Sequence, residues 1–199
     1  MKNRVITISR QFGSGGRTVG KKVAEQLGIP CYDHELIEKI AEESGFAKEY
    51  IAERGEYSSH GGWFANAFFA NAFSDRDFYG HSTQDDLWAI QRKVILKLAE
   101  EGPCVIVGRC ADYILRDEAD CLNVFIHASI AKRAERIVEQ YGEREVSPEK
   151  RLKDKDKRRA SYYQFYTDQK WGAMQNYHIA LDSGVLGIEK CAEILAGLF

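Results

Sequence analysis

Short apolar runs recur along the chain, separated by longer stretches in which apolar residues return every three or four positions. The runs fall at Val5–Ser9, around Pro30–Tyr32, at Cys104–Val107, at Leu122–Ile126 and at His178–Leu181. Their length and β-branched content predict strands. Helical spacing covers Thr18–Leu27, His34–Glu43, Thr83–Glu101, Ile130–Tyr141 and Ile188–Leu198. In Thr83–Glu101 the apolar set is Leu87, Ile90, Val94, Ile95 and Leu98, preceded by a capping-box pattern in Ser82 and Asp85. Ser129 is placed to cap the helix that follows it, and Ser147-Pro148 opens another long helix, because Pro is tolerated where the first-turn N–H would lack a partner anyway. Strands alternating with helices predict a parallel sheet covered on both faces, a three-layer α/β/α arrangement of five strands.

Two stretches depart from that rhythm. Residues 55–80 carry eight aromatics, Tyr57, Trp63, Phe64, Phe68, Phe69, Phe73, Phe78 and Tyr79, and include a tandem repeat, Phe64-Ala-Asn-Ala-Phe68 then Phe69-Ala-Asn-Ala-Phe73. At about 100° per residue the repeat spreads its apolar residues over half a helix surface, wide for a helix packed on one side. Three readings stand: a core helix, a pocket in which Trp63 or a Phe stacks on a base, or a face shared between two subunits. The third, a homodimer through residues 63–79, is the one the width favours. The second stretch, Glu149–Arg159, holds seven basic residues, four of which (Arg151, Lys155, Arg158, Arg159) fall at i, i+4, i+7 and i+8, one face of a helix. A solvated, charged helix steadied by Asp154 and Asp156 would give the same pattern.

Composition narrows the classes. At 199 residues the chain suits one domain with an inserted subdomain. Its formal charge of -2 gives no bulk attraction to nucleic acid. No window approaches the ~20 apolar residues of a membrane span. The five cysteines are widely spaced and form no CxxC, which argues against a disulfide framework or zinc site and for a reducing, cytoplasmic setting. Only three prolines interrupt the chain, as long helices require.

The chemistry concentrates at Ile6–Thr18, which runs from a strand through Gly13-Ser14-Gly15-Gly16 into a helix. Three glycines in four residues allow the positive φ with which a loop curls around an anion. The N–H groups of Gly13, Ser14, Gly15, Gly16, Arg17 and Thr18 would then face phosphate oxygens, aided by the helix dipole. Against GxxxxGK[ST], Gly16, Arg17 and Thr18 fill the last three positions, with Gln11 in place of the first Gly and Arg17 in place of Lys. Arg17 keeps the charge and Thr18 keeps a hydroxyl suited to Mg²⁺. A plain Gly-rich turn is the competing interpretation, and the following Arg-Thr weighs against it.

With these motifs the sequence resembles the cytidylate kinase-like family of P-loop nucleoside-monophosphate kinases. The resemblance rests on Ser9–Arg17, on Cys31-Tyr32-Asp33, on Val107-Gly108-Arg109, on Lys155–Ala160 and on Leu181-Asp182-Ser183 with Ile188-Glu189. It implies a P-loop nucleotide-kinase fold over residues 1–199 with a helical insert at 45–81 and a basic lid helix at 147–168. It implies ATP as phosphoryl donor with Mg²⁺ at Thr18, and a nucleoside monophosphate, CMP or dCMP, as acceptor. Arg17, Arg109, Arg158 and Arg159 would neutralise the transferring charge. Asp33, Arg109, Arg151, Lys155 and Asp156 would meet the acceptor, Asp33 through a hydroxyl or a cytosine amino group. His34-Glu35 stands where cytidylate kinases carry Ser/Thr-Gly, so a kinase of another small metabolite, or a phosphate-binding module without catalysis, remains open.

Overall fold

Residues 4–33 and 83–199 are described by the computed structural model. By contacts the chain divides into two units, Met1–Asp33 with Leu98–Phe199, and His34–Lys97; the sheet and loop below belong to the first. The helix expected at His34–Glu43, the cap at Ser82, the insert at 45–81 and the aromatic face at 63–79 lie outside the described residues.

β1 (Arg4–Arg10) alternates Ile6 and Ile8 with Val5, Thr7 and Ser9, so that Ile6 and Ile8 enter one core and the others face the opposite layer. α1 (Gly16–Leu27) then crosses to β2 (Cys31–Tyr32). After α2 (Thr83–Glu101) come β3 (Cys104–Val107), the short α3 (Ala111–Ile114) and β4 (Asp120–His127). α4 (Ile130–Tyr141), α5 (Pro148–Thr167), a 3₁₀ turn at Met174–Asn176, β5 (Ile179–Asp182), α6 (Ser183–Leu186) and α7 (Ile188–Gly197) complete the chain. The strands form one sheet in the order β2-β3-β1-β4-β5, with every pair parallel.

On one face Val19 and Val23 of α1 and Cys191 and Leu195 of α7 pack on Ile6, Ile8, Val105, Val107, Val124 and Ile126. Full burial of each such Val or Ile side chain contributes about 2 kcal/mol. Both serine caps form: Ser129 Oγ accepts from the Lys132 N–H (3.3 Å) and Ser147 Oγ from the Lys150 N–H (3.4 Å). α1 starts two residues earlier than the spacing predicts, because Gly15 in the left-handed conformation (φ 77°) lets the helix begin at Gly16. β5 starts one residue later than predicted, since His178 Nδ1 accepts the Asn123 N–H (3.0 Å) at the strand's entry.

This strand order sets where ligands go. The connection leaving β1 runs toward β2, whereas the one leaving β3 crosses back toward β4, so a crevice opens at the carboxyl ends of β1 and β3. The glycine loop follows β1 there, and Gly108-Arg109 follows β3.

Candidate active site

The loop between β1 and α1 has Gly13 and Gly15 at φ 75° and 77°, as the glycine spacing predicts. α1 begins without a side-chain cap and with no acidic residue in its first turn, so its leading N–H groups and dipole face an anion unopposed. Ser14 is fully buried, and its Oγ has no hydrogen-bond partner. A buried hydroxyl without a partner costs about 1–3 kcal/mol, and a phosphate oxygen would satisfy it. The loop thus fits the group its sequence implies. Thr18 is exposed on the first turn and offers a hard oxygen of the kind Mg²⁺ takes. Among the described residues no cluster of three or more His, Cys, Asp or Glu could hold a metal ion.

Four side chains that the sequence motif does not contain fix the loop's shape. Asp156 of α5 accepts the Phe12 N–H at Oδ1 (2.7 Å), while its Oδ2 accepts from Arg133 Nη1 (2.6 Å). Arg133 also donates to the carbonyls of Phe12 (3.1 Å) and Ala128 (3.0 Å). Arg136 Nη1 donates to the Gly13 carbonyl (2.9 Å). From the β5–α6 joint the Ser183 hydroxyl reaches the Ser14 carbonyl, with the His127 carbonyl 3.1 Å away. The Phe12 ring stacks on Tyr141, centroids 6.3 Å apart, and lies under the Arg159 guanidinium. Of these, Ser183 and Asp156 fell within segments singled out in the sequence, Asp156 as an acceptor contact rather than as a support of the loop. Arg133 and Arg136 lie in the helix predicted over Ile130–Tyr141, where no motif marks them.

The expected basic face of α5 divides. Arg159 does not share the exposure of Arg158; it lies with Leu152, Asp156 and Tyr163 on the stripe turned inward, and its Nη1 donates to the Arg10 carbonyl (2.8 Å). Asp156 therefore binds loop backbone, and Arg159 the carbonyl that ends β1. Arg158 is exposed, Lys155 is half-buried, and Arg151 donates to the Gly142 carbonyl (3.2 Å).

Opposite the loop, Gly108, Arg109 and Cys110 all have positive φ (80°, 58° and 55°). For the two non-glycines this costs about 1–2 kcal/mol each, and such strain tends to sit where a side chain must be aimed. Gly108 suits its left-handed conformation, and the Arg10 guanidinium occupies the space a Cβ would take. Arg109 is buried at the rim of the crevice. Arg17, half-exposed on α1, forms an ion pair through Nε with the buried carboxylate of Asp33, just past β2.

Behind the turn, Asp112 of α3 is buried and accepts the Tyr163 hydroxyl (2.7 Å). Burial raises the Asp112 pKa above the ordinary 3.8, with the Tyr163 bond and backbone N–H groups opposing. Burial likewise pushes Tyr163 up, and Tyr177 to about 12. Below 3.8 this carboxyl is protonated folded or unfolded. As pH rises through its folded value the native state must ionise a buried group, so the stability it contributes falls. Asp112→Asn should gain on the wild type in urea denaturation as pH rises above 3.8. A difference independent of pH contradicts this.

A parallel five-stranded α/β/α sheet with a glycine loop after β1 defines a P-loop kinase-type fold. Among solved structures, a protein from Eubacterium ventriosum matches with a TM-score of 0.71 at 28% identity, over 98% of this chain and 96% of that one. A gluconokinase from Sinorhizobium meliloti matches at 0.55 and 20% identity, over 98% and 93% of the two chains, a likeness of fold alone. The cytidylate kinase-like family matches residues 5–185, and the chain belongs to that family. A curated cytidylate kinase from Pyrococcus horikoshii is 30% identical over 139 residues, 69% of this chain. The matched stretch spans 58% of that relative's length. The family is one of kinases, and the fold is of the P-loop kinase type. No helix among the described residues is long and apolar enough to cross a membrane.

Proposed function

We propose that the protein transfers the γ-phosphoryl group of ATP to a nucleoside monophosphate, CMP or dCMP being the first candidates. The observation that carries this reading is the uncapped start of α1 beside the buried, unpartnered Ser14 hydroxyl, which together suit a polyphosphate. Family membership and the similarity to a cytidylate kinase support the nucleotide acceptor.

In this reading the backbone N–H groups of Gly13, Gly15, Gly16, Arg17 and Thr18 hold the donor phosphates, with Ser14 contributing its hydroxyl, since its N–H already donates to the Gln11 carbonyl (3.2 Å). Thr18 is the residue that would hold Mg²⁺, whose chemistry would be to neutralise charge on the phosphate oxygens. Phosphoryl transfer asks little covalent chemistry of the protein and much positioning. Arg109, aimed by its strained turn, receives the acceptor phosphate, and Arg17 faces the transferring group. Arg158 and Lys155 add positive potential from α5, while Asp156 and Arg159 contribute by fixing the loop. The lid role expected of 147–168 then falls to its exposed residues, since its inward stripe is bonded to the loop. A homodimer through residues 63–79 and a cytoplasmic setting belong to the same proposal; a monomeric mass by light scattering at micromolar concentration contradicts the dimer.

The deciding experiment is an acceptor screen. With MgATP, ADP formation should appear with CMP or dCMP and fall about a hundredfold in Arg109→Ala, the scale set by lost positioning. Turnover with a sugar or other hydroxyl acceptor instead, and with no nucleotide, overturns the nucleotide reading but keeps the kinase. Tight ATP binding with no turnover on any acceptor overturns both.

A further inference from the structure

We propose that Asp33 is a positioning residue for Arg17, holding one edge of its guanidinium so that the other edge is presented to the donor phosphates. The inference deepens the phosphotransferase reading and rests on it for the identity of the anion. Arg17 stands at the place of the lysine in the glycine-loop motif, and that place changes meaning with the substitution. A lysine offers one ammonium on a flexible stem. An arginine offers a planar fork with two usable edges, so a carboxylate can hold one edge while N–H groups on other nitrogens, fixed in the same plane, donate elsewhere; a lysine's three N–H donors share one nitrogen that no plane fixes.

The geometry matches that division. The ion pair uses Nε of Arg17 and Oδ2 of Asp33, which leaves the terminal Nη groups at the outer end of a side chain that is 47% exposed. Asp33 is the fixed partner: its side chain is 5% exposed and follows directly on β2. Arg17 extends from the uncapped first turn of α1, whose free N–H groups face the same anion. Fixing a long side chain in advance removes ordering entropy that binding would otherwise have to overcome. Asp33 is then occupied with Arg17, and recognition of the acceptor passes to other groups of the crevice.

Elementary electrostatics makes the proposal decidable. A carboxylate beside an anion site repels the anion, so an Asp33 that merely sits nearby predicts tighter phosphate binding when neutralised. An Asp33 that positions Arg17 predicts the reverse. The probes are MgATP and inorganic triphosphate, titrated calorimetrically into the full chain with no acceptor present. Asp33→Asn should weaken both about tenfold, the scale of one charge-assisted hydrogen bond. Arg17→Lys, which keeps the charge but has no planar fork for a carboxylate to orient, should lose a similar factor. In an Arg17→Ala background, Asp33→Asn should change nothing further.

Unchanged or tighter binding in Asp33→Asn overturns the proposal, as does an equal loss in the Arg17→Ala background. Wild-type affinity in Arg17→Lys overturns it too, and that arm decides should Asp33→Asn fail to melt cooperatively. A wild-type protein that binds neither probe also overturns it. Because no acceptor is used, failure of the acceptor screen leaves these titrations intact. Turnover on CMP without the Arg17–Asp33 coupling sinks this inference alone.

Discussion

Asp156→Ala is expected to destabilise the protein by about 3 kcal/mol, a midpoint shift readily measured in urea. The carboxylate serves the Phe12 N–H and the Arg133 guanidinium at once, with Arg159 Nη1 3.9 Å away. Its removal leaves the Phe12 N–H without its acceptor and the buried Arg133 guanidinium without its counter-charge. An uncompensated buried charge is the costlier loss. Asp156→Asn keeps an oxygen for Phe12 but not the charge facing Arg133, and should fall between alanine and wild type. The functional consequence exceeds the thermodynamic one. Arg133 and Asp156 together hold both polar groups of the Phe12 residue, one position before Gly13. A loop displaced by about 1 Å should cost about a hundredfold in kcat/KM. If Asp156→Ala lowers stability but leaves ATP affinity and kcat/KM at the wild-type value, the loop is held by something other than α5.

The second large effect is expected at Gly13. The backbone there has φ 75°, and a Cβ would meet Ile137 Cγ2 at 2.8 Å, the Arg133 carbonyl oxygen at 2.9 Å and Leu152 Cδ2 at 3.1 Å. The carbonyl belongs to α4 and cannot rotate away as a side chain could. Left-handed strain and crowding add, and Gly13→Ala should cost about 3 kcal/mol. Gly28→Ala separates the two causes: Gly28 is also left-handed (φ 65°), but nothing lies within 4 Å of its Cβ position. It should lose only the conformational part, about 1 kcal/mol by thermal denaturation. Equal losses at the two glycines would show that crowding contributes nothing at Gly13.

Much of the fold was legible along the chain because each element signals itself locally. Five apolar runs gave five strands, and Ser129 and Ser147 cap the helices they precede, since a cap is a contact between residues three apart. The glycine loop was legible for the same reason: its positive φ values are a demand each glycine answers on its own. The basic run on α5 was legible as charge and misjudged as a surface. Seven basic residues in eleven hide the stripe Leu152-Asp156-Arg159-Tyr163, because periodicity is read from apolar residues and two members of this stripe are charged. Only their bonds to Phe12 and Arg10 distinguish them from their neighbours.

The sequence by itself determined a parallel α/β sheet and a glycine loop after its first strand, with Arg17 following. What the tertiary structure alone decided is which charges are spent inside the protein. Arg133 and Arg136 reach the loop from more than a hundred residues away, Asp156 and Arg159 turn inward to the same segment, and Asp33 meets Arg17 from the end of a different strand. Such pairings follow from strand order and helix placement, which bring together residues that no local pattern links, and a buried charge gains its meaning only from the partner that the fold sets opposite it.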